Sequence, residues 1–224
     1  MDWSSLFGIR RIKPRDFVLR FKEHSERKIP NSRRIEELSF LVVDTETTGL
    51  DPKRDFILSF GSIEVRRLTI PVQSAKEYYL KTKKLGKEAI KVHEIVNQSL
   101  TVSRERMVRE FLADAEGKIL VGHHLGFDLS MMEKAGRSFG LRKINSPRLD
   151  TMDLAIRLDM GPHFDPRMVE YKRYSLDKLC SRFRIPLEDR HTAAGDALLT
   201  AQLLIRLLKS ARGAGILTYA DLMG

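Results

Sequence analysis

Three short stretches of the chain place acids and histidines at spacings that could do chemistry: LVVDTETTGL at 41–50, VGHHLGFDLS at 121–130 and HTAAGDALLTAQLL at 191–204. In the first, an apolar run ends in Asp44, and Glu46 follows two positions on. Side chains alternate faces along a strand, so Asp44 and Glu46 share one side while Val43 and Thr45 take the other. Two neighbouring carboxylates repel, and apolar surroundings make their ionised forms costlier still, so a cation between them is the natural complement. The plainer account is solvated acids beside a turn, since Gly49-Leu50-Asp51-Pro52 is turn chemistry. In the second stretch, Asp128 stands where a strand hands over to a helix, with Phe127 expected to bury itself; an ordinary helix N-cap also explains this acid. In the third, Asp196 falls in the first turn of a strongly apolar helix, five residues after His191. Ala193, Ala194 and Gly195 around it would let that helix start approach another element closely.

The composition bounds what such residues can serve. At 224 residues the chain is one domain with extensions, or at most two small domains. With 42% hydrophobic and 31% charged residues it suits a globular protein with a sizeable core. No apolar run approaches the roughly 20 residues of a membrane helix, and the N-terminus lacks a secretory signal pattern. Cys180, the single cysteine, excludes an internal disulfide framework and a Cys-rich zinc site, so a reducing cytoplasm is the expected location. Forty Lys and Arg against thirty Asp and Glu give a net charge of +10. That excess favours a polyanion such as nucleic acid, unless it serves solubility alone.

The elements that must position these residues follow from periodicity. Residues 1–38 form a basic extension with ten Lys and Arg against six acids. A helix from Asp16 to Arg27 is expected there, either packed on the domain or in contact with a phosphate backbone. FLVVDTE, FILSFGSIEVRRLTI and EYYLKT read as three strands close enough to form an antiparallel meander. KEAIKVHEIVN reads as a short helix and turn. Ser103 is the expected N-cap of the helix RERMVREFLADAE, which Gly117 ends. KILVG is a short strand, followed by a helix over about 129–138, then a strand running into a helix in RLDTMDLAIRL. YSLDKLCSRF and ALLTAQLLIRLLKS are amphipathic helices. A meander followed by alternating helices and strands implies a mixed α/β sheet with helices on both faces.

Taken together and in this order, DTETTGL, GHHLGFD and HTAAGD resemble the three motifs of the DnaQ-like, or DEDDh, 3′–5′ exonucleases. This family includes the proofreading subunit of bacterial DNA polymerase III, ribonuclease T and oligoribonuclease. The resemblance covers roughly residues 39–210, and it implies a ribonuclease H-like mixed five-stranded sheet flanked by helices. The expected division is a basic extension at 1–38, an exonuclease domain at 39–212 and a short tail at 213–224. Asp44, Glu46, Asp128 and Asp196 correspond to the family's four acids that bind two divalent cations, with Asp44 expected to bridge them. His191 corresponds to the general base. In the sister group a tyrosine stands one position later, which is Thr192 here.

The chemistry is consistent with these residue types. Two ions roughly 3.5–4 Å apart clamp the attacking and leaving oxygens of an in-line displacement, and hard Mg²⁺ or Mn²⁺ prefers oxygen ligands. A histidine near neutral pKa can take the proton from the attacking water. The resemblance further suggests substrate contacts at Thr47, Thr48, Gly49 and Leu50, and at His93 and Ile95 in KVHEIVN. His124 and Phe127 are also candidates, although Phe127 suits the core better than a base-stacking role and His93 could be a plain surface residue. His124 stands where the family often has Asn, and Glu94 where Gly is usual, which bears on nucleotide preference.

The expected activity is therefore release of nucleoside 5′-monophosphates from single-stranded 3′ ends, with DNA the preferred substrate and RNA trimming the alternative. A non-catalytic nucleic-acid-binding module on the same fold is the rival from another class; a degenerate relative should have lost at least one acid or the histidine. With only ARGAGILTYADLMG beyond Ser210, a free-standing enzyme is preferred over a polymerase-bound subunit. A polymerase or another replication or repair protein remains the alternative partner.

Overall fold

A computed structural model describes residues 12–25, 27–81 and 101–224. Its centre is a mixed sheet of six strands in the order β4-β3-β2-β1-β5-β6. The first three strands, β1 (Ser39–Thr47), β2 (Ile57–Arg66) and β3 (Lys76–Leu80), form the antiparallel meander. β5 (Ile119–Gly122) pairs parallel with β1, and β6 (Arg148–Asp150) pairs parallel with β5.

Two features correct the sequence reading. The sheet has six strands rather than five, because Thr101–Val102 adds β4, a two-residue strand paired parallel with β3. Two residues carry too little periodicity to be read as a strand. The second strand also stops at Arg66 rather than running on to Ile70. Arg67 and Leu68 both adopt positive φ (51° and 57°), and Arg66 pairs back onto Thr69, so the apolar run turns on itself. The expected helix and turn in KEAIKVHEIVN, with His93 and Ile95, lie outside the described residues.

Strand parity divides the molecule into two cores. Phe40 and Val42 of β1 face one side, where they join Ile63, Val65 and the helix α6 (Ala193–Gly213). Leu41 and Val43 face the other, with Phe60, α2 (Arg104–Ala115) and α3 (Leu125–Gly136). Both ends of α2 follow the sequence: the Ser103 hydroxyl accepts from the Arg106 N–H at 3.2 Å, and Gly117 takes φ 70° just after it. On the α6 side lie α4 (Thr151–Met160) and α5 (Leu176–Arg182).

Both termini of the described chain fold back onto this body. α1 (Asp16–Ser25) buries Val18 and Phe21 in the same cluster as Phe111 of α2. The Arg15 N–H donates to the Phe139 carbonyl, and Pro14 covers Gly140, where any Cβ would meet the proline backbone at 2.5 Å. At the other end, α7 (Tyr219–Met223) starts with a capping box between Thr218 and Asp221 and buries Leu222. No helix among the described residues is long and apolar enough to cross a membrane. Phe21 is 1% exposed, so Phe21→Ala should cost about 3 kcal/mol of unfolding free energy. A denaturant melt checks this; an unchanged midpoint would mean that α1 contributes nothing to the fold.

Candidate active site

Asp44 and Glu46 leave β1 on the same face as Phe40 and Val42, which is the α6 side. The β1–β2 register shifts between Glu46 and Thr47. An irregularity of this kind ends regular pairing and re-aims the neighbouring side chain. Asp44 is paired opposite Gly61 of β2, and Gly61 has a role the sequence reading missed. A Cβ there would stand 2.2 Å from the Ala193 backbone, so the first turn of α6 lies directly on the strand. A glycine inside an otherwise apolar strand was the available signal for such an approach.

The close approach delivers Asp196. Thr192 caps α6 through its hydroxyl, which accepts from the Gly195 N–H at 3.0 Å. Gly195 in turn leaves room for the Asp189 carbonyl. Among the described residues, carboxylate oxygens of Asp44, Glu46 and Asp196 all lie within 4.8 Å of one another. Asp196 is buried, and its Oδ1 has no hydrogen-bond partner among the described residues.

Asp128 arrives from the opposite face and stands outside that group of three. It is buried in the first turn of α3, which begins at Leu125 rather than near Leu129 as expected. His124, in a left-handed conformation (φ 65°), precedes the helix, so Asp128 is not its N-cap. The Thr45 hydroxyl donates to Asp128 Oδ1 at 2.6 Å. Thr45 points to the α3 side for the same parity reason that sends Asp44 and Glu46 to the α6 side. The start of α3 is fixed by Asp150 at the end of β6, whose Oδ2 accepts from the Leu125 N–H at 2.8 Å while Oδ1 accepts from Met152 N–H.

Electrostatics follow from this crowding. Burial raises the Asp44 carboxyl well above the usual carboxylate range, and the charges of Asp128, Asp196 and Glu46 add to it, with Arg190 pulling the other way. Burial raises Asp128 to about 7 against the opposing bond from Thr45. Arg190 is a second residue that sequence reasoning missed. Its guanidinium bonds Asp196 Oδ2 and, through Nε, Asp177 Oδ1 at 2.6 Å. Nothing in the spacing of HTAAGD marks the preceding arginine. His191 itself is exposed, on the loop before α6, at φ 64°. Neighbouring His123 is a different case: burial lowers it to about 4, so it is neutral, with Nδ1 3.0 Å from the Thr151 hydroxyl.

The remaining predicted contacts divide. The Thr48 N–H donates to the Phe56 carbonyl, and its hydroxyl donates to Asp55 at 2.8 Å, so both are engaged within the loop. The Thr47 hydroxyl donates to the Gly49 carbonyl, whereas Leu50 is 85% exposed beside the acids. Phe127 is partly buried against the α3-side core, and His124 is exposed.

A mixed sheet whose central strand ends in clustered carboxylates, flanked by helices on both faces, is the ribonuclease H-like fold. Residues 41–204 match the RNase_T family, described as Exonuclease, and the chain belongs to that DnaQ-like 3′–5′ exonuclease family. Curated relatives include the DNA polymerase III PolC-type of Bacillus subtilis (30% identity over 196 residues, 85% of this chain) and of Latilactobacillus sakei (29% over 182 residues, 79%). The chain spans only 13% and 12% of those proteins. Among solved structures, Escherichia coli exonuclease I bound to single-stranded DNA in a zinc-containing form aligns at TM-score 0.63. The identity is 16%, over 80% of this chain and 42% of that one.

Two outcomes test the geometry. Gly61→Ala must push the start of α6 away, so we expect a loss of about 1–3 kcal/mol together with a drop in turnover of more than tenfold. Unchanged melting and turnover would contradict the close approach. Because the folded pKa values of Asp44 and Asp128 lie above the unfolded value near 3.9, these groups stabilise the native state least at high pH. The metal-free protein loses stability as pH rises through about 7 for Asp128. A cation that needs the ionised forms should therefore raise the melting temperature more at pH 8 than at pH 6, read by thermal melts with and without Mn²⁺.

Proposed function

We propose that this chain removes nucleoside 5′-monophosphates from the 3′ ends of single-stranded DNA, using two divalent cations, Mg²⁺ or Mn²⁺, held by Asp44, Glu46, Asp128 and Asp196. The observation that carries the reading is the convergence of Asp44, Glu46 and Asp196 oxygens within 4.8 Å. The donor set fits such ions: every ligand is a hard carboxylate oxygen. The partnerless, buried Asp196 Oδ1 is an atom whose burial is costly unless a cation meets it. When bound, the cations supply Lewis-acid stabilisation of the phosphate and of the leaving oxygen.

The chain's own residues do the rest. Asp44 would hold the cations together with Glu46 and Asp196. Thr45 orients Asp128 through its 2.6 Å bond. His191, exposed on the loop that leads into the Asp196 helix, takes the proton from the attacking water, a role worth about 10²–10⁴-fold. Leu50 offers an exposed apolar edge for the terminal nucleotide; Thr47, Thr48, Gly49, His124, Phe127, His93 and Ile95 are the further contacts carried over from the family. DNA rather than RNA is supported by the PolC-type relatives and by the exonuclease I complexes with single-stranded oligonucleotides.

A second reading is a proofreading domain acting beside a replication polymerase. The match of this chain to a 12–13% portion of PolC-type polymerases favours it. In either case the enzyme works in the cytoplasm.

Asp196→Asn and Asp44→Asn should each reduce turnover at least a thousandfold, and Asp44→Asn should also raise the melting temperature of the metal-free protein, since it relieves repulsion. The assay is a time course on 5′-labelled DNA and RNA strands with Mg²⁺, Mn²⁺ or EDTA. Near-wild-type turnover by Asp196→Asn would sink the two-cation assignment, and faster loss of the RNA strand would reverse the substrate preference.

A further inference from the structure

Several cations around the sheet have a carboxylate partner. Arg20 pairs with Glu116 at 2.9 Å, Lys76 with Asp114 at 2.7 Å and Arg182 with Asp159 at 2.6 Å. One face departs from this pattern. The end of α1 and the segment after it face the segment between Gly140 and Arg148, and two adjoining cavities lie between them. The first, about 480 Å³, is lined by Lys13, Lys22 and Arg142 with Ile12, Pro14 and Gly140. The second, about 490 Å³, carries Arg27, Lys28, Lys143 and Arg148. Ser25, which lines the second cavity, bonds the carbonyl of Lys22, which lines the first, and Arg142 adjoins Lys143 in sequence. The two cavities therefore form one trough.

Among the described residues no acid lines either cavity, and none of these seven cations makes an ion pair. The polar groups between them, Asn31, Asn145 and Ser146, are amides and a hydroxyl. Such groups suit phosphate and sugar oxygens but carry no strong base-reading geometry. The walls are anchored: Arg15 is bonded to Phe139, Ala220 to the Asn31 carbonyl, and Arg148 to the Ile144 carbonyl. Seven of the chain's cations are thus gathered in a fixed groove, without carboxylate partners among the described residues.

The trough is remote from the carboxylates. Leu41 is in register with Leu120, and Leu120 with Arg148. Asp44 lies three residues further along β1, toward the C-terminal ends of the parallel strands. Two strand spacings of about 4.8 Å and three rises of about 3.3 Å put the Arg148 and Asp44 backbones roughly 14 Å apart. We propose that this trough is a second, sequence-independent nucleic-acid site that holds the phosphate backbone beyond the reacting end. The exonuclease reading enters only in relating the trough to that end.

The test uses the full chain and the triple variant Lys28→Gln, Arg142→Gln, Lys143→Gln, which touches no carboxylate of the candidate active site. Binding of fluorescein-labelled dT30 is measured by anisotropy in EDTA, where no hydrolysis occurs, across a salt series. Each lost phosphate contact removes about 0.7 from the slope of log affinity against log salt, or about 5-fold in affinity near 0.1 M salt. We expect the variant to bind dT30 roughly 10- to 100-fold more weakly with a slope lower by about 2, and to hydrolyse dT4 with Mn²⁺ as the parent does. The charge-preserving variant Lys28→Arg, Arg142→Lys, Lys143→Arg should restore dT30 binding, which separates charge from folding. Unchanged affinity and slope on dT30 would overturn the proposal. So would a loss of binding confined to poly-glutamate or to anionic phosphatidylserine vesicles. If neither protein hydrolyses any strand, the exonuclease reading fails while the anisotropy result still decides the trough.

Discussion

The backbone of a helix resting directly on the backbone of a strand is the constraint from which the rest of the site follows. Ala193 touches β2 at Gly61, the residue paired with Asp44, and no side chain fits between them. That contact brings a third carboxylate to the acid pair of β1, and it sets the demands on the surrounding sequence. The helix must begin with small residues, its cap must come from Thr192, and its long apolar face must bind it firmly enough to offset the repulsion it creates. Leu199, Leu203, Leu204, Leu207 and Leu208 provide that hold, all almost wholly buried. Burial of apolar area of this extent stabilises by several kcal/mol, whereas crowding of carboxylates destabilises the metal-free state locally.

The electrostatic consequence is an arrangement in which partial neutralisation is built in. Arg190 covers one oxygen of Asp196 and is itself tied to Asp177, while the other oxygen has no partner among the described residues. Thr45 supplies a hydroxyl to Asp128. Asp196 is thus held on one oxygen by a tethered cation, and Asp128 by a neutral donor. Part of the remaining positive charge is paired with carboxylates, and a cluster of cations without such partners among the described residues lies at a distance from the acids.

Much of this was legible in the sequence, for identifiable reasons. The strands of the meander, the capped helix after Ser103 and the small residues before Asp196 announce themselves by period, cap and size, all local properties. The four acids and His191 were singled out because their order along the chain matches a known family, and three of those acids converge in the fold. What escaped has a common character. Arg190, Thr45 and the use of Gly61 depend on which elements meet across the sheet, and no local pattern encodes that meeting. β4 was too short to show a period, and the end of β2 depended on positive φ at Arg67 and Leu68, residues with no special preference for it. The hydroxyl and N–H of Thr48 bond Asp55 and Phe56, seven and eight residues on, a pairing within the loop that no local pattern announces.

The alternation along β1 carries one more implication. Phe40 and Val42 fill the α6-side core and Asp44 and Glu46 continue that face, while Leu41, Val43 and Thr45 do the same toward α3. Packing and chemistry therefore share a single reading frame. Inserting or deleting one residue anywhere in Phe40–Val43 would invert both at once, sending the acids under α3 and Thr45 toward α6. Substitution can adjust this strand residue by residue, but a change of its length cannot be repaired by any single compensating change elsewhere. Its nine-residue span is thereby fixed far more tightly than the identity of most residues within it.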